Sequence, residues 1–506
     1  MMEFSEEYNR KALYKCLALV CGGAFAMKFT GGAATLAIVP LCLNLLFGKR
    51  MDWLFFWLFF LIVATLGNPY FFPKTAVFFM TERALLISVT FLMMGWLCGK
   101  RHSPICRPLL GILPYLVWEA VSSLQGYQPL VSYLKLFLFV CIYMAYYSVA
   151  NAVIQAGRFN TKLMRSMMLS FSLFLVVGSV ALLPFPGISQ CLAHTLEEAI
   201  RNAELKSLFM GMLNHSQSFG PLIAALGVFV IGDWIFAVRK FDPLYVIMIV
   251  ALPLLVWKTS SRTAMATFML GLTVEIFFFM KTRGMKFQWK SKIMGLAVAS
   301  MTVLVVGIVS VPSWRERAIQ FAFKTSNKAD VSQIDTSFEK LTSSRQGLVD
   351  NAMFNFKKKP LIGNGFQVSD EMVNAHFDGL ASYLSAPIEK GVWIYAVLEE
   401  GGIVGMILFA GFLIIAFFQS VHNKAYITAS MLVCGAAMNM GEFAYFSMSY
   451  TGGFLWALTF AAVVMDAQRL WLVGRENAFL TVYDEREFSD PFEEFDMMGR
   501  DTPILR

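Results

Sequence analysis

The stretch EEGGIVGMILFAGFLIIAFFQS, Glu399–Ser420, decides what kind of molecule this chain is. Two carboxylates and two glycines open it, and no Asp, Glu, Lys or Arg follows before Lys424. A helix needs roughly 20 mostly apolar residues to cross the hydrocarbon core of a bilayer. Residues 402–420 meet that requirement, and a long polar segment stops just where they begin.

Working outward, apolar runs of similar length fill most of residues 13–311 and 402–467. Spans are predicted at 13–29, 31–47, 53–69, 84–99, 106–122, 130–150, 164–184, 217–237, 243–257, 262–280, 293–311, 402–420, 425–442 and 450–467. The expected fold is an all-α polytopic membrane protein with about 12–14 transmembrane helices. Composition agrees: the 506 residues are 57% hydrophobic and 15% charged, against about 25% charged in soluble domains. The polar start, Met1 to Arg10, followed by apolar sequence reads as an uncleaved first helix rather than a signal peptide, because a second apolar run follows almost at once.

Charge placement predicts an orientation. With the N-terminus in the cytoplasm, the inner loops hold Lys49 and Arg50; Lys100, Arg101 and Arg107; Arg158, Lys162 and Arg165; Arg239 and Lys240; and Lys281, Arg283, Lys286, Lys290 and Lys292. The outer loops 123–129 and 185–200 contain no Lys or Arg. This is the positive-inside pattern of an inner-membrane protein. The net charge of +8 is therefore a topology signal and not a nucleic-acid surface. The eight cysteines are scattered without a CxxC pair, so neither a disulfide framework nor a zinc site is expected.

Four regions follow: a membrane bundle over 1–311, a polar loop over 312–401, further spans over 402–467, and an acidic cytoplasmic tail over 468–506. The loop falls outside on this topology, between the last-but-three and last-but-two spans. Aromatic residues such as Trp314, Phe354, Phe366 and Trp393 recur along it and predict short amphipathic helices, a folded periplasmic lid.

Candidate chemistry gathers near the outer face. Lys258, Ser261 and Arg262 lie in a turn between two spans, where two cations beside hydroxyls suit a phosphate. The alternative is a turn whose cations snorkel to headgroups. Arg345 opens an amphipathic stretch that closes on Pro360-Leu361-Ile362-Gly363-Asn364-Gly365-Phe366, and a Gly363–Gly365 turn can present backbone amides to an anion. Glu389 and Lys390 lie just before Glu399, and a carboxylate at this mouth suits a general base; the plain alternative for the pair is a surface ion pair. His215 sits in the polar patch Asn214–Gln217 at the start of an earlier span. Glu119 and Lys135 fall at the outer ends of successive spans, placed to face one another or an acceptor. Glu442 has Phe443, Tyr445, Phe446 and Tyr450 around it, which suit stacking on sugars or a plain interfacial belt.

In order along the chain, Ser261-Arg262-Thr263-Ala264, the Arg345 helix ending in Pro-Leu-Ile-Gly-x-Gly, and Glu399-Glu400-Gly401-Gly402-Ile403-Val404-Gly405 resemble the O-antigen ligase/polymerase family. The resemblance covers about residues 210–420 by motif and the rest by topology only. It implies a membrane glycosyltransferase that takes a glycan from undecaprenyl diphosphate at the periplasmic face and passes it to an acceptor sugar hydroxyl with inversion. No cofactor and no metal are implied. Arg262 and Arg345 would hold the diphosphate as catalytic residues. Lys258, Ser261, His215, Lys390, Gly363, Gly365, Glu119 and Glu442 would line the substrate site. Ligases of the family carry a His before the Glu-x-Gly-x-x-Gly helix. Here the stretch reads Ile388-Glu389-Lys390-Gly391, and His376 lies too early. That departure points to a polymerase or another glycan transferase, with Glu389 as base. Expected partners are the lipid-linked oligosaccharide, an acceptor glycan or glycolipid, membrane lipids and polysaccharide-assembly proteins such as a chain-length regulator.

The competing class is a lipid-linked polysaccharide flippase or secondary transporter. That class predicts ionisable residues near mid-membrane and an internal repeat. No repeat is visible, and the charges read from sequence gather at the outer mouth.

Overall fold

Inside a bilayer a backbone amide has no water to bond, so an apolar run of span length satisfies itself as a helix. The computed structural model describes residues 10–73, 75–99, 102–155, 161–190, 209–236, 242–259, 261–281, 310, 338–369, 390–441, 444–447 and 451–486. The helices are α1 (Arg10–Thr30), α2 (Thr35–Phe47), α3 (Met51–Leu66), α4 (Ala76–Gly99), α5 (Leu113–Leu124), α6 (Pro129–Gln155), α7 (Thr161–Ala181) and α8 (Ser216–Phe236). They continue as α9 (Pro243–Lys258), α10 (Arg262–Lys281), α11 (Phe338–Lys358), α12 (Trp393–His422), α13 (Tyr426–Met438) and α14 (Thr451–Arg486). Among the described residues, 7 helices are long and apolar enough to cross a membrane. The described residues form no strand beyond two isolated bridges, Gly67–Leu213 and Gln190–Phe209.

The bundle is layered by burial. Helix α3 is enclosed along its length from Leu58 to Leu66, and α8 is buried throughout its apolar window. Helices α6 and α14 pack against α3 and complete the interior. Outer helices show the opposite face: Phe25 and Phe29 on α1, Met80 on α4, Leu254 on α9, Phe277 on α10 and Ile407 and Phe418 on α12 are exposed. A soluble surface would not carry so much contiguous apolar area, whereas lipid tails accept it.

Contacts between helix ends show that directions alternate as the span pattern predicts. At one end, Asn68 donates to the carbonyls of Ile188 and Gly211, and the Asn214 amide to that of Leu66. The Trp393 amide donates to Asn439, which ties the start of α12 to the end of α13 at this same end. At the opposite end, Asn151 accepts from the Ser103 amide and Asn423 donates to Pro104. Asp466 there accepts from the amide and hydroxyl of Thr428, both at 2.8 Å.

Several expectations change. The predicted span 106–122 is a 3-10 segment, Arg107–Ile112, running into the short α5, since Pro108 and Pro114 remove amide donors at each start. Helix α12 begins at Trp393, inside the segment assigned to the loop. Helix α14 runs to Arg486, so the segment taken as a tail from 468 opens as helix. The predicted span 293–311 lies outside the described residues except for residue 310. Arg165 is not a loop charge. It is buried on α7, with its Nε 3.2 Å from both carboxylate oxygens of Asp233, and Tyr245 donates to Asp233 at 2.5 Å. Nor do the charges keep to one mouth: Glu82, Glu275 and Asp466 are buried in the helices as well.

The Arg165–Asp233 pair gives a test. Removing one partner strands the other charge in a dry interior, which costs about 3–5 kcal/mol, while replacing both by apolar residues is close to neutral. Arg165→Met should lower the thermal unfolding midpoint in detergent sharply, and the double variant with Asp233→Leu should recover most of the loss.

Candidate functional site

The site is built on a break in a helix. Gly402 interrupts α12 with φ 66° and ψ −164°, a conformation open to glycine and strained for other residues. A break leaves carbonyls without their helical amide, and each needs another donor. Here the donors come from two places. The Asn364 amide bonds the Glu399 carbonyl at 2.9 Å and the Gly365 amide bonds that of Glu400 at 3.0 Å. From α5, Ser122 Oγ donates to Glu400 at 2.6 Å and the Trp118 indole to Gly401 at 2.7 Å. On the far side of the break, the Ile403 amide reaches back to Pro360 at 2.8 Å. The Pro360–Phe366 turn and the Glu399–Ile403 break are thus one hydrogen-bonded unit. A Cβ on Gly363 would overlap the Glu400 carbonyl, and one on Gly402 would overlap Leu361.

Charge locks the unit. Lys390 is buried, with Nζ 3.2 Å from Glu399 Oε2 and 3.0 Å from Glu400 Oε1, and it donates to the Val368 carbonyl at 2.8 Å. Two ion pairs and one hydrogen bond therefore meet on one ammonium. Burial alone pulls the Lys390 ammonium down, but the Glu399 and Glu400 carboxylates outweigh it and hold it above the usual lysine value. Glu399 also accepts from Asn355 Nδ2 at 2.9 Å, which anchors α11 to α12. Asn364 Nδ2 donates to the Asn355 carbonyl at 3.0 Å. Lys135, on α6, donates to Gln367 at 3.3 Å, and Ser132 to Phe366 at 2.9 Å. Lys359 closes the rim on the Gln125 carbonyl.

The Lys258–Arg262 turn lies at the same end. Ser261 Oγ caps α10 by accepting from the Ala264 amide at 3.2 Å, and Thr259 Oγ1 accepts from the Ser261 amide at 3.3 Å. Gly220 of α8 allows the close fit, since a Cβ there would lie 2.8 Å from Thr259 Oγ1 and 3.0 Å from Ser261 Cβ. His215, exposed just before α8, is therefore on this face. Arg262 is the first residue of α10 and half-buried, and Lys258 is exposed. Next to Arg262, Thr263 packs on Gly441 after α13. Asn439, at the end of α13, accepts from Trp393 at 3.0 Å and, through Oδ1, from the amides of Ala444 and Tyr445. The Thr263–Gly441 contact and the Trp393–Asn439 bond thus bring the Arg262 turn and the start of α12 to the end of α13.

Several predicted roles change in this geometry. Gly363 and Gly365 do not present amides to an anion. The Gly363 amide bonds the Lys359 carbonyl, and those of residues 364 to 366 bond Glu399, Glu400 and Ser123. Lys390 is neither a surface ion pair nor an open cation. Glu119 does not face Lys135 as its partner: it is fully buried against Gly401 and Gly405, and its carboxylate oxygens accept no hydrogen bond among the described residues. Tyr445 and Phe446 are packed with Phe409 in an aromatic core, not open to a sugar. Glu389, Glu442 and His376 lie outside the described residues. Arg345 lies in α11, with its side chain outside the described residues; its position is two turns before buried Ala352 on one helical face, about 10 Å nearer the start. Sequence reasoning missed Asn355, Asn364 and Asn439, whose partners are distant in sequence.

Neither the protein-family models nor the curated proteins contain a match to this chain.

Two tests follow. Lys390→Gln leaves two buried carboxylates facing each other and should destabilise by about 3–5 kcal/mol, partly restored by adding Glu400→Gln. Because the folded lysine value is raised, the ion cluster stabilises fully below the unfolded value of about 10.4 and loses its effect as pH climbs through the higher folded value. Unfolding of the wild type followed from neutral to alkaline pH should steepen only there, and the double variant should lack that alkaline loss. Gly402→Ala should cost more than about 1 kcal/mol, read as earlier proteolysis within 360–369.

Proposed function

We propose that the chain transfers a glycan from undecaprenyl diphosphate to an acceptor sugar hydroxyl at the periplasmic face of a bacterial inner membrane, as a polymerase- or ligase-like enzyme. The observation that supports this reading is the gathering of three separate segments at one end of the bundle: the Arg262 turn, the Pro360–Phe366 turn with α11 behind it, and the Glu399–Ile403 break. Lys390 and backbone bonds join the last two, and the Arg262 turn meets the end of α13, which is bonded to the start of α12.

In this reading the lipid tail enters between helices and the diphosphate rests at the outer surface. Arg262 stands at the N-terminus of α10, where the helix dipole adds to its charge. Arg345 lies in the first half of α11, seven residues before buried Ala352. The bond from the anomeric carbon to the diphosphate oxygen breaks, and the diphosphate leaves with the electron pair. Charge grows on it as that happens, so guanidinium groups fixed there favour the transition state over the ground state. The acceptor oxygen attacks from the opposite side, and its proton passes to a carboxylate. Glu389 is assigned that role, next to the fixed Lys390. Lys258, Ser261 and His215 shape the rim. Lys390, Gly363 and Gly365 hold the site together without touching substrate. Orientation follows the basic inner loops: both termini cytoplasmic and the segment 312–401 periplasmic.

The flippase or transporter reading gains from one observation, the buried Glu275, Asp466 and Arg165–Asp233 groups within the helices. Purified protein in liposomes with lipid-linked oligosaccharide separates the readings. A ladder of products marks a polymerase, a single shift onto an acceptor marks a ligase, and no covalent product with movement of the lipid marks a flippase.

Arg262→Ala and Arg345→Ala should each lower transfer by about 10²-fold or more with unchanged yield of folded protein, and Glu389→Gln should lower kcat more than it alters KM. Full transfer by both arginine variants would remove the assignment.

A further inference from the structure

Helix α10 carries a polar stripe where lipid-facing or core helices normally carry none. Thr267, Gly271 and Glu275 are four residues apart and so share one face, which is buried between α8 and α13. On α13, Ser430 and Cys434 share a face in the same way. The two faces meet: Cys434 Sγ lies 3.9 Å from the Thr267 carbonyl, and a Cβ on Gly271 would lie 2.5 Å from that sulfur.

Glu275 is fully buried, and neither of its carboxylate oxygens accepts a hydrogen bond among the described residues. The hydroxyls of Thr267 and Ser430 are also fully buried and without a hydrogen-bond partner among those residues. Gly232 of α8 leaves the room that the carboxylate occupies, since a Cβ there would overlap Glu275 Oε1. Charged and titratable neighbours come from each side. Asp466 of α14 lies within electrostatic reach, as does Cys434 of α13. Asp466 is balanced by two bonds from Thr428 and by Arg469 at 3.4 Å. Asp233, next to Gly232, is balanced by Arg165 and Tyr245. On α12 the titratable group at this end is His422. Both aspartates thus have an arginine beside them, while the charged group within electrostatic reach of Glu275 among the described residues is another carboxylate, Asp466.

An isolated carboxylate in such a place is far costlier than a neutral acid. Unbonded hydroxyls in a row are the groups that internal water joins. We infer that Glu275 is a proton-binding site buried within the helix bundle, a carboxylic acid whose proton exchanges along the Thr267–Ser430 seam between α10 and α13. This goes beyond glycan transfer, which needs no acid at this depth, and it gives the bundle a group through which proton binding can bias how α10 packs on α13.

The test uses the full chain in nanodiscs. The infrared difference between wild type and Glu275→Gln should show loss of a protonated-carboxyl carbonyl band that shifts on transfer to heavy water. Loss of an ionised-carboxylate band instead, or a band that does not shift, overturns the inference. A second measurement needs no variant: dicyclohexylcarbodiimide, which attacks protonated carboxyls in apolar surroundings, should modify Glu275 as read by mass spectrometry. Absence of modification at Glu275, or modification suppressed by sodium chloride but not by choline chloride, counts against a proton and overturns it.

Discussion

The carbonyls that Gly402 releases from the helix ladder have to find donors, and where those donors come from fixes one end of the helix bundle. Water is scarce at that depth, so an unbonded carbonyl would cost several kcal/mol. Three carbonyls, those of Glu399, Glu400 and Gly401, are met by two amides of the Pro360–Phe366 turn and by two side chains of α5. One break in one helix thereby holds three parts of the chain in a single register. Side chains at Gly363 and Gly402 would push those backbones apart, which is why both positions are bare.

Lys390 converts that backbone contact into a specific one. A buried cation with two carboxylates contributes little net stability compared with apolar packing of the same volume, because desolvation offsets most of the attraction. It is sensitive to geometry, however. Two carboxylates and one carbonyl surround the ammonium, so a shift of α12 or of the 360–369 segment leaves a charge unmatched. The cluster holds α11 through Asn355 and so sets how the amphipathic helix that contains Arg345 lies over the membrane end. Positioning of this kind suits a site whose chemistry rests on fixed charges.

Much of this fold was legible in the sequence, and the reasons are local. Apolar runs dictate helices because lipid leaves no alternative, and most described helices fall on predicted spans, 106–122 being the exception, where Pro108 and Pro114 divide it into a 3-10 segment and the short α5. What the sequence hid was pairing at long range. Trp118 and Gly401 are far apart in sequence, as are Asn355 and Glu399, and nothing in a linear pattern joins them. Lys390 read as a surface charge because it follows Glu389 in a segment assigned to a loop, and Arg165 read as a loop charge because it lies one turn from a loop; each is buried through a partner on another helix. The glycine motifs drew attention correctly, but their amides serve the fold and not a ligand.

The proposed transfer requires two guanidinium groups to meet one diphosphate near the α12 break. The direct measurement is a cryo-electron microscopy structure of the full chain in a lipid nanodisc with a non-hydrolysable undecaprenyl diphosphate sugar. The account predicts diphosphate density at the start of α10, with Arg262 on one side, Arg345 on the other, and the sugar directed toward Glu389. Density held elsewhere, or Arg345 turned away on the far side of α11 from Arg262, would contradict it.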